Sequence, residues 1–462
     1  MVRLVALLCA VGLVTSPAGA ADPPAKKPNI VFILADDLGY GDLGCYGQEK
    51  IRTPKLDRMA SEGMRFTQCY AGSTVCAPSR CSLMTGLTTG HCTIRGNATV
   101  ALRPEDKTVA EILKDAGYAT ALVGKWGLGG PNSTGQPNKK GFDFFYGYLD
   151  QVHAHNYFPD FLWRNHEKVK LEGNVQSSVK GVAEKRALYA PDLFEKESLD
   201  FVEQHKDGPF FLYLATTIPH ANNERKKAEG NGNEVPDLHG YGDRDWPEPE
   251  KSKAAMITHL DAQVGKILSK LRDLRIDENT IVFFTSDNGP HKEGGNDPRF
   301  FDSSGGLRGI KRDLYEGGIR EPMIVRWPKQ IQAGSVSDLP WAFWDFLPTC
   351  ADLAGVQPPD GSDGISVVPT LLGKGDQKVH EYLYWEFHEG GSKQAVRVGD
   401  WKALRFGPHG PIELYDLRAD VGEQQNVAGS HSDVVAKAEK FLDAARTPSD
   451  RWPLKAAAKP NR

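Results

Sequence analysis

This chain has no excess of basic residues, no internal repeat and no apolar run of membrane length. Its 462 residues carry 56 Lys+Arg against 60 Asp+Glu, a formal net charge of −4. The missing basic patch argues against a dedicated nucleic-acid binder. Low-complexity sequence is confined to a short Lys/Ala/Pro tail. With 40% hydrophobic and 25% charged residues, the composition excludes a disordered tail protein, a coiled coil and a collagen-like chain. The length allows two or three domains, or one large α/β domain with an appendage.

The N-terminus differs from the rest. Arg3 precedes an apolar run too short to span a bilayer, and Ser16-Pro17-Ala18-Gly19-Ala20 closes it with small residues. This pattern predicts a secretory signal peptide over 1–20. The mature chain is then exported, periplasmic or secreted, with no membrane attachment after cleavage. Export alters the reading of the cysteines. Apart from Cys9, the chain has Cys45, Cys69, Cys76, Cys81, Cys92 and Cys350. In an oxidising compartment six cysteines suggest three disulfides. If one has another role, at least one more stays unpaired.

Four apolar runs end abruptly in polar residues. Ile30 to Leu34 leads into Asp36-Asp37, and Thr120 to Val123 leads into Lys125. Phe210 to Leu214 leads towards His220, and Thr280 to Phe284 leads into Asp287-Asn288. Continuous β-branched and aromatic runs read as strands buried on both faces. Helical patterns at Val109 to Ala116 and Lys253 to Leu274 lie between them. The alternation predicts a largely parallel sheet with helices on both faces. Ligands in such sheets bind beyond the carboxyl ends of the strands. Each polar residue has a bland reading as a turn or surface residue, but four such ends on one sheet edge point to a common site. Asp36, Asp37, Asp287 and Asn288 offer only oxygen, which suits Ca²⁺ or Mg²⁺ better than Zn²⁺. Three carboxylates around one divalent ion leave negative charge, so an anionic substrate there requires cations. Arg80, Lys125 and Lys311 are the candidates, with His220 as a titratable neighbour.

Cys76-Ala77-Pro78-Ser79-Arg80 is followed by Leu83-Met84-Thr85-Gly86. Here the chain resembles the formylglycine-dependent (type I) sulfatase family of the alkaline-phosphatase-like superfamily. Gly124-Lys125-Trp126, Pro219-His220, Ser286 to Gly289, Gly309 to Arg312 and Glu316 to Pro322 extend the resemblance in family order over about residues 28 to 420. The resemblance implies that a maturation enzyme oxidises Cys76 to Cα-formylglycine, whose hydrate carries two hydroxyls on one carbon. One attacks sulfur and expels the alcohol. The other loses a proton, the aldehyde re-forms and sulfate leaves. It further implies Ca²⁺, with Mg²⁺ as the alternative, on Asp36, Asp37, Asp287, Asn288 and the modified Cys76. Arg80 steadies the hydrate, Lys125 and Lys311 contact the sulfate, and His220 contacts the sulfate or assists the leaving group.

The chain departs from the family at Gly127, where many members have histidine in G-K-W-H-L-G. Every other motif residue is present, so this reads as a subfamily trait. His153, His155 and His291 are candidates to stand in or to bind substrate. If His153 and His155 lie on extended backbone they face the same way. The aromatic segment Gln151 to Trp163 suits sugar recognition, with packing onto the domain as the alternative. Asn222 to Glu250 reads as a polar loop. From Asp376 the pattern changes to short alternating strands and a final helix over Val434 to Ala445, dividing the chain into a catalytic part, 21–375, and a C-terminal part, 376–462. The implied substrate is a sulfated carbohydrate or aryl sulfate. The rivals are a phosphatase or phosphodiesterase of the same superfamily and a glycan-binding pseudoenzyme. Asn97-Ala98-Thr99 and Asn132-Ser133-Thr134 match glycosylation sequons.

Overall fold

The structure, a computed structural model, describes residues 26–456, so the predicted signal peptide lies outside the described residues. All four apolar runs are strands and lie side by side. Thr280–Ser286, Asn29–Ala35, Phe210–Ala215, Ala119–Lys125 and Phe144–Tyr148 form, in that order, the parallel centre of an eleven-stranded sheet. Antiparallel pairings extend it on both sides. Arg320–Arg326 and then Met64–Tyr70 follow on one side, and the hairpin Phe161–Arg164 with Glu167–Lys170 follows on the other.

The period-two alternation of strand side chains feeds two cores. Val31 and Ile33 pack on one face with Leu260, Val264 and Ile267 of the helix Glu248–Asp273. Ile30, Phe32 and Leu34 pack on the other with Val109 and Leu113 of Val109–Asp115 and with Leu347 of Phe346–Ala354. Both faces being covered explains why these strands are apolar without interruption.

The expected change of texture is a four-stranded antiparallel sheet of Leu383–Phe387, Lys393–Val398, Trp401–Phe406 and Ile412–Asp416. The helix Ser432–Ala444 covers one face through Ala438 and Leu442. The other face meets the main body, where Trp385, Leu404 and Tyr415 join Tyr70, Val75 and Trp344 in one apolar cluster.

Two expectations change. None of Cys45, Cys69, Cys76, Cys81, Cys92 and Cys350 is in a disulfide. Cys69, Cys81, Cys92 and Cys350 instead fill the second core as small apolar side chains. The segment from Asn222 to Glu250 contains the helix Asn223–Glu229, capped when Asn222 Oδ1 accepts from Arg225 N at 3.0 Å. Among the described residues no helix is long and apolar enough to cross a membrane.

Candidate active site

The carboxyl ends of the central strands converge with the start of the helix Cys76–Thr85. Cys76 is the first residue of this helix, so its side chain lies at the positive end of the backbone dipoles. Arg80 follows four residues later and therefore shares its face. The Cys76 thiol donates to Asp36 Oδ1 at 3.4 Å.

Each cation in the cluster is held by a carboxylate. Arg80 donates through Nε and Nη2 to Asp287 Oδ2 at 2.9 and 2.8 Å, and through Nη1 to the Lys125 carbonyl at 2.7 Å. Lys125 Nζ donates to Asp36 Oδ2 at 2.7 Å, and Lys311 Nζ to Asp37 Oδ2 at 2.7 Å. All these groups are buried. Three carboxylates thus balance three cations. The side-chain amide of Asn288 donates to Asp37 Oδ1 at 2.7 Å, while its Oδ1 has no hydrogen-bond partner. Asp37 sits at φ 65°, strained backbone for a non-glycine residue in keeping with a functional position.

Burial alone would neutralise these groups, and pairing decides otherwise. Burial pushes Asp36 up, but the cations Lys125, Arg80 and Lys311 outweigh it and hold the carboxyl well below the usual range. Burial pulls Lys311 down, but Asp37 more than restores its charge. Asp287 goes the other way. Burial, then the neighbouring Asp36, pushes it up to about 6 despite Arg80. Burial and Asp36 also raise the Cys76 thiol well above its ordinary value, so the unmodified side chain is a neutral thiol and a poor nucleophile.

The cluster suits a hard divalent cation. Four oxygen-bearing side chains converge, one carboxylate is under-compensated, and a buried amide oxygen lacks a donor. Adding two positive charges to a balanced cluster would leave a net positive site for an anionic ester.

The histidines do not act as one group. His220 Nδ1–H donates to the Ala221 carbonyl at 2.8 Å, which leaves its Nε2 lone pair to accept from Lys311 Nζ at 3.2 Å. Burial first, then Lys311, lowers its pKa well below the ordinary value, so it is neutral. His155 stacks on His220 with ring centroids 4.8 Å apart and is tied through Nδ1 to Glu224 Oε2 at 3.0 Å. His291 lies behind Asp37, its Nε2 3.9 Å from Oδ2 and its Nδ1 accepting from Glu293 N at 3.0 Å. His153 is not brought to the cluster. It packs 5.0 Å from Tyr148 and 4.6 Å from Phe161. The residues His153–His155 form a 3₁₀ turn rather than extended chain, so the two side chains diverge. Phe158 is buried against Tyr189, which makes it a packing residue.

Sequence reasoning missed Glu224 and Gln151. Glu224 lies in the polar segment read as a loop. Gln151 adjoins Gly127, which has φ +78°, and a Cβ placed on Gly127 would fall 1.9 Å from Gln151 Nε2. The glycine was the one signal, because something had to fill the space it leaves.

Residues 28–356 match the Sulfatase family, and residues 308–447 match the C-terminal region of N-sulphoglucosamine sulphohydrolase. The chain is 34% identical to N-acetylgalactosamine-6-sulfatase of Canis lupus familiaris, covering 99% of this chain and 86% of the relative. It is 31% identical to N-acetylgalactosamine-6-O-sulfatase of Bacteroides thetaiotaomicron, covering 92% and 94%. Among solved structures it resembles Ps i-CgsB in complex with k-i-k-neocarrahexaose, with a TM-score of 0.77, 30% identity and coverage of 93% and 95%.

Proposed function

We propose, from the premise that this chain belongs to the sulfatase family and hydrolyses sulfate esters, that its substrates are sulfated carbohydrates and that Cys76 acts as formylglycine. One observation carries the mechanism. The Cys76 side chain lies 3.4 Å from Asp36 inside a buried cluster of three carboxylates and three cations. The carbohydrate reading takes its support from the relatives named for amino-sugar sulfates and from the oligosaccharide-bound neighbour.

Asp36, Asp37, Asp287 and Asn288, with the modified side chain at 76, would hold Ca²⁺ or alternatively Mg²⁺, which supplies Lewis-acid polarisation of a sulfate oxygen. The formylglycine hydrate supplies one hydroxyl to attack sulfur and a second whose proton loss releases sulfate. The chain's own residues do the rest. Arg80 is held rigid by Asp287 and the Lys125 carbonyl and orients the side chain at 76 one helical turn away. Lys125 and Lys311 each keep ammonium hydrogens beyond those given to Asp36 and Asp37, and these bind sulfate oxygens in a buried setting where charge counts heavily. His220 positions Lys311. His155, oriented by Glu224, contacts the sugar, and of the three further histidines it is the one stacked against the cluster.

Export through a signal peptide over 1–20, maturation by a formylglycine-generating enzyme, and division into a catalytic part, 21–375, and a C-terminal part, 376–462, belong to the same reading. The test combines two measurements on the exported protein. Intact mass reads the conversion of Cys76, which loses one sulfur and two hydrogens and gains one oxygen. Ion chromatography reads sulfate release from defined sulfated mono- and disaccharides. Unabated release by Cys76→Ala ends the formylglycine mechanism, and glycan binding without turnover by an unconverted chain makes the protein a pseudoenzyme.

A further inference from the structure

The absent side chain at position 127 leaves a space that the fold fills from another strand. Ala119–Lys125 and Phe144–Tyr148 are neighbouring parallel strands, registered with Lys125 opposite Tyr148. Pairing continues one step further, where Trp126 N donates to the Tyr148 carbonyl at 2.9 Å. The two chains therefore leave the sheet together, one carrying Gly127 and the other Gln151.

Gln151 is fixed at that exit. Asp150 Oδ1 accepts from the backbone N–H groups of Val152 and His153, both at 2.9 Å, and this closes the turn around Gln151. The carboxamide then lies where a side chain at 127 would begin. A Cβ on Gly127 would meet Nε2 at 1.9 Å and Cδ at 2.8 Å. With Gln151 in this rotamer no side chain fits at 127, so the carboxamide occupies the space that glycine leaves open. The backbone of Gly127 adds a second reason, since φ +78° disfavours most side chains.

Gln151 Nε2 is buried and has no hydrogen-bond partner. A buried amide donor without an acceptor carries a desolvation cost that native structures rarely leave uncompensated. Its position says what could compensate. Gly127 is two residues past Lys125, so their Cα atoms are within about 7 Å, and the Lys125 ammonium is in the cluster on Asp36.

We propose that Gln151 is a substrate-binding residue, whose Nε2 donates a hydrogen bond to a sulfate oxygen of the bound ester. This rests on the sulfatase reading for the identity of the anion. A carboxamide gains and loses no proton near neutrality, so the role is to bind and orient, and general acid catalysis falls to another group.

The test uses the full mature protein and inorganic sulfate, so that it does not depend on turnover. Isothermal titration measures sulfate binding to the native protein and to Gln151→Met, which keeps the bulk and removes the donor. Gln151→Glu keeps the shape and replaces the donor with an anion. Kinetics on 4-nitrophenyl sulfate and a sulfated monosaccharide run in parallel. Sulfate affinity should fall about tenfold or more in Gln151→Met, the loss that accompanies one hydrogen bond to a charged group. It should fall further in Gln151→Glu. KM should rise in step for both substrates with kcat little changed, because the contact exists in ground and transition states alike. Unchanged sulfate affinity in a folded Gln151→Met protein overturns the proposal, whether or not its melting temperature falls, because a packing role moves stability alone. If the native protein binds sulfate but cleaves neither ester, the sulfatase reading fails while the binding comparison still decides the role of Gln151.

Discussion

Two buried charged networks in this molecule are built from the same residue types and do different work. The first is the cluster around Cys76. The second joins the C-terminal sheet to the main body, and each of its carboxylates is paired with a lysine or an arginine. Glu316 accepts from Lys402 at 2.8 Å, from Tyr70 at 2.8 Å and from Arg320 at 3.1 Å. Lys402 also pairs with Glu423 at 3.1 Å. Nearby, Glu386 pairs with Arg95 at 3.0 Å and with Arg446 at 2.7 Å. In the first cluster Asn288 Oδ1 has no donor, and it stands among oxygen groups that a hard cation would take up. In the second the charges answer one another across the joint, where a buried charge left alone costs several kcal/mol.

The sharpest break between the two is Cys76→Ala. It should lower sulfate release at least about 10³-fold, as loss of a nucleophile does, with little change in the urea midpoint. A large stability loss instead would place Cys76 in the structural class. Chelation followed by dialysis should also abolish turnover, and Ca²⁺ or Mg²⁺ should restore it. Two tightly bound zinc ions in metal analysis would instead favour the phosphatase rival.

Lys402→Met inverts that pattern. It strands Glu316 and Glu423 without their shared cation, so unfolding free energy should fall by about 3–5 kcal/mol. Activity at a temperature where the variant is folded should match the native protein. A kcat loss there would show that the joint also tunes the site.

Acid titration separates the networks through Glu386. Burial pushes this carboxyl up, but hydrogen bonds from His388 and Arg446 and the charges of Arg95 and Arg446 hold it down at about 2. The native state therefore binds this proton less readily than the unfolded chain, whose glutamate titrates near the ordinary 4.5. Its stabilisation is complete above about pH 4.5 and is lost as pH falls towards 2. The span corresponds to about 3 kcal/mol. Glu386→Gln should flatten the stability profile in that window, and an unaltered slope would mean that other carboxylates govern acid unfolding.

The smallest effect concerns His155. As a sugar contact, its replacement by alanine should raise KM for a sulfated sugar with kcat little changed. A loss of about 10²-fold or more in kcat on the sugar, with a much smaller loss on an aryl sulfate, would make it the leaving-group acid instead.

Much of this was legible in the residues. The four strands announced themselves because they are buried on both faces, which demands unbroken apolar runs. The convergence of Asp36, Asp37, Asp287 and Asn288 was legible because strand ends in such sheets share one edge. The motif around Cys76 pointed to the family that the comparisons show. Three things were not legible. The fate of the cysteines depended on which of them the cores would surround, and four became packing residues. The divergence of His153 and His155 depended on a single 3₁₀ turn, too short to leave a periodic signal. The partners of Gly127 and His155 are Gln151 and Glu224, and glutamine and glutamate are common surface residues with no motif of their own. Local sequence determines strands, turns and the donor set, because these follow from neighbouring side chains and backbone preference. Which distant residue fills a given gap is decided only when strand register brings two chain segments to the same exit of the sheet.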